Sequence, residues 1–161
     1  MFAGTVLLHA ISAGQAADAA NGNINFGINI YEPNLCTIIV RNDGTMTPDV
    51  TNQVLSSKEA GGVSGVADVY SWRPYDLQVD AVPFFLAMPP DGDSGVTISS
   101  TFSGTALNAR GLTFPERPGS SPVRLRRGYS ATRITVDMTA TRVGSRYPAG
   151  DYAALSIVRC E

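Results

Sequence analysis

Histidine is almost missing from this chain: among 161 residues only His9 is one. His9 falls in the apolar N-terminal run, so the remaining sequence has no imidazole to activate a serine or cysteine nucleophile. Lysine is equally scarce. The 12 basic residues are all arginine except Lys58, and they face 14 acids for a formal net charge of -2. With no basic excess, nucleic acid is not an expected partner. There are two cysteines, Cys36 and Cys160, and no CxxC spacing, which argues against a structural zinc. Long apolar runs are absent too. The longest, residues 2–11, is broken only by Gly4, Thr5 and His9 and at about ten residues is too short to cross a bilayer as a helix.

With 43% hydrophobic and 16% charged residues, the chain fits a single globular domain with a real core. The apolar run and the small residues of 12–20 predict a signal peptide over 1–19, cleaved after Ala16 or Ala19, although no Lys or Arg precedes the run. The alternative is an N-terminal helix kept in the fold. Export predicts a disulfide between Cys36 and Cys160, and retention inside the cell predicts two buried thiols.

Beyond residue 20 helical periodicity nearly vanishes, and short strand-like runs alternate with Gly, Pro, Asn and Asp clusters. Strands are expected at 37–41, 66–72, 75–81, 96–102, 122–127, 132–142 and 151–160, with 83–86 continuing as an apolar run. A turn is expected at Asn42, Asp43 and Gly44, and a loop with at most one helical turn over 45–65. Run lengths and turn spacing predict an all-β sandwich.

The clearest pattern is at 23–30, where Ile24, Phe26, Ile28 and Ile30 alternate with Asn23, Asn25, Gly27 and Asn29. Next comes the connector 31–35, which contains Pro33 and reaches at most about 17 Å. Two further motifs follow: Pro33-Asn34-Leu35-Cys36-Thr37-Ile38, and Pro148-Ala149-Gly150-Asp151-Tyr152 ahead of the last strand. In this order the three pieces resemble secreted subunits of chaperone-usher pili, closest to the archaic branch that includes spore-coat-U-like proteins.

That resemblance implies an immunoglobulin-like β-sandwich lacking its last strand, a donor-strand extension over 20–34 and a pilin-like domain over 35–161. The extension would complete the groove of the next subunit, with Ile24, Phe26, Ile28 and Ile30 as plugs and Gly27 allowing close backbone approach. It also implies partners: other copies or related pilus subunits, a periplasmic chaperone and an outer-membrane usher. The expected route is through the periplasm to a cell-surface fimbria, with a role in adhesion and with no enzymatic activity or cofactor. A Cys36–Cys160 bond would then pin the two rims of the groove at one end, provided their Cα atoms lie within about 7 Å.

Other chemistry has a plainer reading. Asp76 and Asp80 share a strand face, which suits a solvated surface better than a glycosidase pair. Residues 91–95 (Asp-Gly-Asp-Ser-Gly) have the start of a calcium loop, but Phe102 stands where the closing glutamate would be, so a tight turn is expected. Arg124, Arg126, Arg127 and Arg133 form either a basic strip or the ordinary wet face of strands. Trp72, Tyr70, Tyr75, Phe84 and Phe85 are expected mostly in the core, with a sugar-stacking platform as the alternative. Two functions therefore stand against each other: a polymerising subunit that donates 23–30, and a stand-alone secreted sandwich that keeps this strand and binds a ligand such as a carbohydrate.

Overall fold

Alternating side chains build eleven strands in a computed structural model that describes residues 22–28 and 36–161. They are β1 (Gly22–Ile28), β2 (Cys36–Asn42), β3 (Gly44–Pro48), β4 (Val54–Ser56), β5 (Gly65–Ser71), β6 (Asp76–Ala81), β7 (Val96–Ala106), β8 (Phe114–Pro118), β9 (Val123–Arg124), β10 (Ser130–Arg142) and β11 (Tyr152–Cys160). No helix occurs among the described residues. The proposed leader 1–19, Ile30 and the connector 31–35 lie outside them.

The protein is an all-β sandwich. One sheet runs β2-β5-β10-β7-β8, every pair antiparallel. The other runs β3-β1-β11-β6-β9, antiparallel except for the parallel pair β1–β11. β10 is the spine of the first sheet. β7 flanks it from Thr132 to Arg142, while on its other side β5 pairs as far as Val136 and β4 takes over at Thr139. Because β4 also pairs with β3, the two sheets join along that side.

The period-two pattern places Ile134, Val136, Met138 and Ala140 of β10 inside, each essentially buried. Ile134 and Val136 pack with Ile38, Val69, Leu77, Val79, Phe102 and Val158. Met138 and Ala140 pack with Met46, Leu55, Phe85, Tyr147 and Tyr152. Each of the larger apolar side chains contributes roughly 1.5–3 kcal/mol by leaving water. Phe114 packs edge-on against Phe102, centroids 5.4 Å apart, and it does so over Gly104, where a Cβ would come within 2.1 Å of the ring.

Several expectations need correcting. Asn42 to Gly44 is not a reversing turn: the chain stays extended through Asp43 and passes from one sheet to the other, β2 pairing with β5 and β3 with β4 and β1. The expected loop over 45–65 holds β3 and β4. Asp49 closes the turn between them by accepting hydrogen bonds from the Thr51 hydroxyl and from the Val54 and Gln53 amides. Those donors, the hydroxyl first, hold its carboxyl down at about 2. The run 83–86 is loop rather than strand, with Phe84 and Leu86 exposed and Phe85 buried. β2 is an edge strand with only Ile38 buried, not a buried one. β8 was not foreseen, because the prolines Pro115 and Pro118 hide its pattern.

Candidate functional site: the strand gap between β3 and β11

β3 and β11 do not pair with each other among the described residues; β1 lies between them and bonds to both. Without β1 the second sheet would end at β11, and β3 would border an opening one strand wide. The opening exists because of the crossover at Asp43, which carries the chain from β2 beside β5 to β3 beside β4 and leaves the other edge of β3 facing β11 at a distance that one strand spans.

Register is specific. Ile24, Phe26 and Ile28 stand opposite Ala154, Ser156 and Val158, the buried positions of β11, whereas Asn23, Asn25 and Gly27 stand opposite the half-buried Ala153, Leu155 and Ile157. On the other side Ile24 stands opposite Gly44. The position of Ile24 is therefore flanked by a glycine and an alanine, the two smallest residues, both at buried sites. A segment kept in its own chain could fold back in a hairpin beside 37–40, the next strand in sequence. The antiparallel neighbour is instead Gly44 to Met46, and the alternation of Gly44 and Met46 with Thr45 and Thr47 was an available signal for that strand.

At the end of the gap toward which β1 runs, Cys36 and Cys160 form a disulfide with Cα atoms 6.5 Å apart. It does not join two rims of the gap, as expected. Cys36 opens β2 in the first sheet and Cys160 closes β11 in the second, so the bond ties sheet to sheet. The opposite end is closed by aromatics. Tyr152 donates its hydroxyl to the Pro148 carbonyl at 2.8 Å, and Phe85 and Tyr147 pack edge-on to its ring at 5.0 and 5.4 Å. Burial raises the pKa of both tyrosine hydroxyls.

The remaining candidates do not converge. Asp76 pairs with Arg124 at 3.0 Å, and Asp80 forms an ion pair with Arg159, so both carboxylates are part of surface pairs. The four arginines do not form one strip: Arg133 is bound to Asp68 on the first sheet and Arg124 to Asp76 on the second, while Arg126 and Arg127 sit in the loop between β9 and β10. Residues 91–95 form turns, with Asp91 at φ +61° and Gly95 at φ +69°. No cluster of three potential metal ligands occurs among the described residues. Of the aromatics, Phe85 is buried, Tyr70 and Tyr75 are half-buried, and Trp72 is 59% exposed.

No protein-family model matches this chain, and no curated protein sequence matches it.

Proposed function

We propose that this chain is a secreted structural subunit of a surface fimbria that polymerises by donating residues 23–30 into the β3–β11 gap of the next copy. The observation that carries the reading is that this gap is completed only by a strand from the N-terminal extension. Ile24, Phe26 and Ile28 register there with the buried positions of β11. The Tyr152 hydroxyl bonded to a carbonyl upstream, at the start of the last strand, is of the kind found in immunoglobulin-like sandwiches and supports that assignment.

A lone subunit has only its own β1 to complete its sheet. The short connector 29–35 must bring the end of β1 to Cys36, which is bonded to Cys160, so a chain's own strand has to run parallel to β11. A strand from another copy carries no such tether and can run antiparallel to β11 along its seven-residue edge, at the expense of the shorter antiparallel pairing with β3 over Gly22–Ile24. The self-completed monomer is then a resting form, and exchange for a neighbour's strand drives assembly. In this reading a periplasmic chaperone keeps the gap from closing on the subunit's own β1 in transit, and an outer-membrane usher delivers subunits to the cell surface.

The second reading, a closed stand-alone sandwich, is favoured by β1 lying in its own sheet. Gel migration in non-reducing SDS without boiling separates the two. Donor-strand polymers should persist as a ladder, and Phe26→Asp should abolish the ladder while a chaperone-bound monomer remains soluble. A protein that runs only as a monomer, and is lost altogether with Phe26→Asp, overturns the polymer reading.

A further inference from the structure

β5 ends at Ser71 and β10 begins at Ser130, and these two residues pair. The next residue outward on each, Trp72 and Tyr129, therefore emerges side by side at one end of the first sheet, rings 5.0 Å apart and 59% and 44% exposed. Tyr70 extends the row, its ring 6.3 Å from that of Tyr129. Large rings left in water carry a cost that core packing would have removed, so a row of them needs a reason.

The rings of Trp72 and Tyr129 form one side of a shallow, open cleft of about 720 Å³, completed by Arg110, Arg127, Gly128 and Asn108. No carboxylate lines it. Its walls are fixed to one another. The Asn108 carboxamide oxygen accepts from the amides of Arg110, Gly111 and Ala131 at 3.1, 2.7 and 3.1 Å, and its nitrogen donates to the Tyr129 carbonyl. Arg110 donates to the Arg127 carbonyl at 3.1 Å, passing over Gly128, whose φ of +89° and missing Cβ leave room for the guanidinium. The Arg127 side chain makes no ion pair among the described residues, and Arg73 and Arg126 are exposed close by in sequence.

We propose that this cleft binds an acidic glycan, one sugar ring stacking on Trp72 and Tyr129 while its carboxylate or sulfate is held by Arg127 and Arg110. Aromatic faces match the apolar faces of pyranose rings, and guanidinium forks match planar oxyanions in two-point contact. Single-stranded nucleic acid shares the stacking and the charge but relies on successive bases stacking along a basic groove, whereas only Trp72 and Tyr129 offer rings at this site. The site is independent of strand donation.

Trp72 is the only tryptophan, so intrinsic fluorescence reports directly on the cleft. The full-length exported protein is titrated at physiological salt with a heparin-derived hexasaccharide, an oligogalacturonate, cellohexaose and oligo-dT. A saturable change with either acidic oligosaccharide is expected, sulfate or carboxylate being distinguished by which of the two binds. It should be at least about tenfold weaker in Tyr129→Ala and Arg127→Ser and unchanged in Arg146→Ser, an exposed arginine elsewhere. Calorimetry extends the test to Trp72→Ala, with thermal melts showing that each variant is folded. Absence of a change, equal binding of cellohexaose, tighter binding of oligo-dT, or equal loss in Arg146→Ser would each overturn the proposal.

Discussion

Arg133 grips Asp68 across the β5–β10 pair with two hydrogen bonds, Nε to Oδ1 at 2.7 Å and Nη2 to Oδ2 at 3.0 Å. Arg41 of β2 adds a third at 2.7 Å, so one carboxylate, only 2% exposed, ties three strands of the first sheet together from its outer face. Asp68→Asn should keep the shape but leave two guanidinium groups without their anion. Half of each arginine is in water, so the cost should be about 1–3 kcal/mol in urea unfolding rather than that of a fully buried pair.

The same carboxylate sets a pH dependence. Hydrogen bonding from Arg133 first, then from Arg41, lowers the Asp68 pKa below its ordinary 3.8, and Asp49 is held at about 2. On unfolding both return to ordinary values, so the unfolded chain binds more protons in acid. Their stabilisation is complete above about pH 4 to 5 and is lost as pH falls through the folded values toward about 2. Unfolding free energy measured from pH 6 to pH 2 should fall, and the fall should be shallower in Asp68→Asn. An identical slope in the variant would contradict the assignment.

Gly104 exists for the ring of Phe114. A methyl group there would start 2.1 Å from a ring carbon, so Gly104→Ala should destabilise by about 3 kcal/mol or somewhat less if β8 shifts. Calorimetric melting checks the single variant, and Gly104→Ala with Phe114→Leu should recover part of the loss because the smaller side chain vacates the space.

The position of β1 has its own test. Asn25 stands opposite Leu155, and neighbouring strands bring Cα atoms close enough for a disulfide. Asn25→Cys with Leu155→Cys should crosslink within one chain under mild oxidation and block ladder formation until reduced. Crosslinks only between chains would mean that β1 does not occupy its own gap.

Replacing both Cys36 and Cys160 by serine should cost roughly 4 to 5 kcal/mol in the chain-entropy account, since their separation is 124 residues. The melting temperature should fall steeply while far-ultraviolet circular dichroism keeps its all-β form.

Where alternation was uninterrupted, the sequence was readable: β10 and β11 were expected within two residues of their observed starts, because Ile134, Val136 and Met138, and Ala154, Ser156 and Val158, repeat without a break. β1 was legible for the same reason. What was not legible depends on partners distant in sequence. β3 looks like loop because Thr45, Thr47 and Pro48 dominate it, and only its place beside β1 and β4 makes it a strand. For Trp72 the sequence leaves core and stacking platform both open; it follows the last paired residue of β5 and so has no sheet behind it. The cleft around it is assembled from three loops that no local pattern links.

The Cys36–Cys160 bond closes residues 36–160 into a covalent ring. Tension applied at Cys36 and Cys160 passes through the sulfur atoms and bypasses the sandwich. The 124 residues of separation hold some 400 to 450 Å of extensible chain that stays locked while the bond is intact. Pulled at those two residues, the oxidised ring is an almost inextensible link, and reduction converts the same link into a long spring.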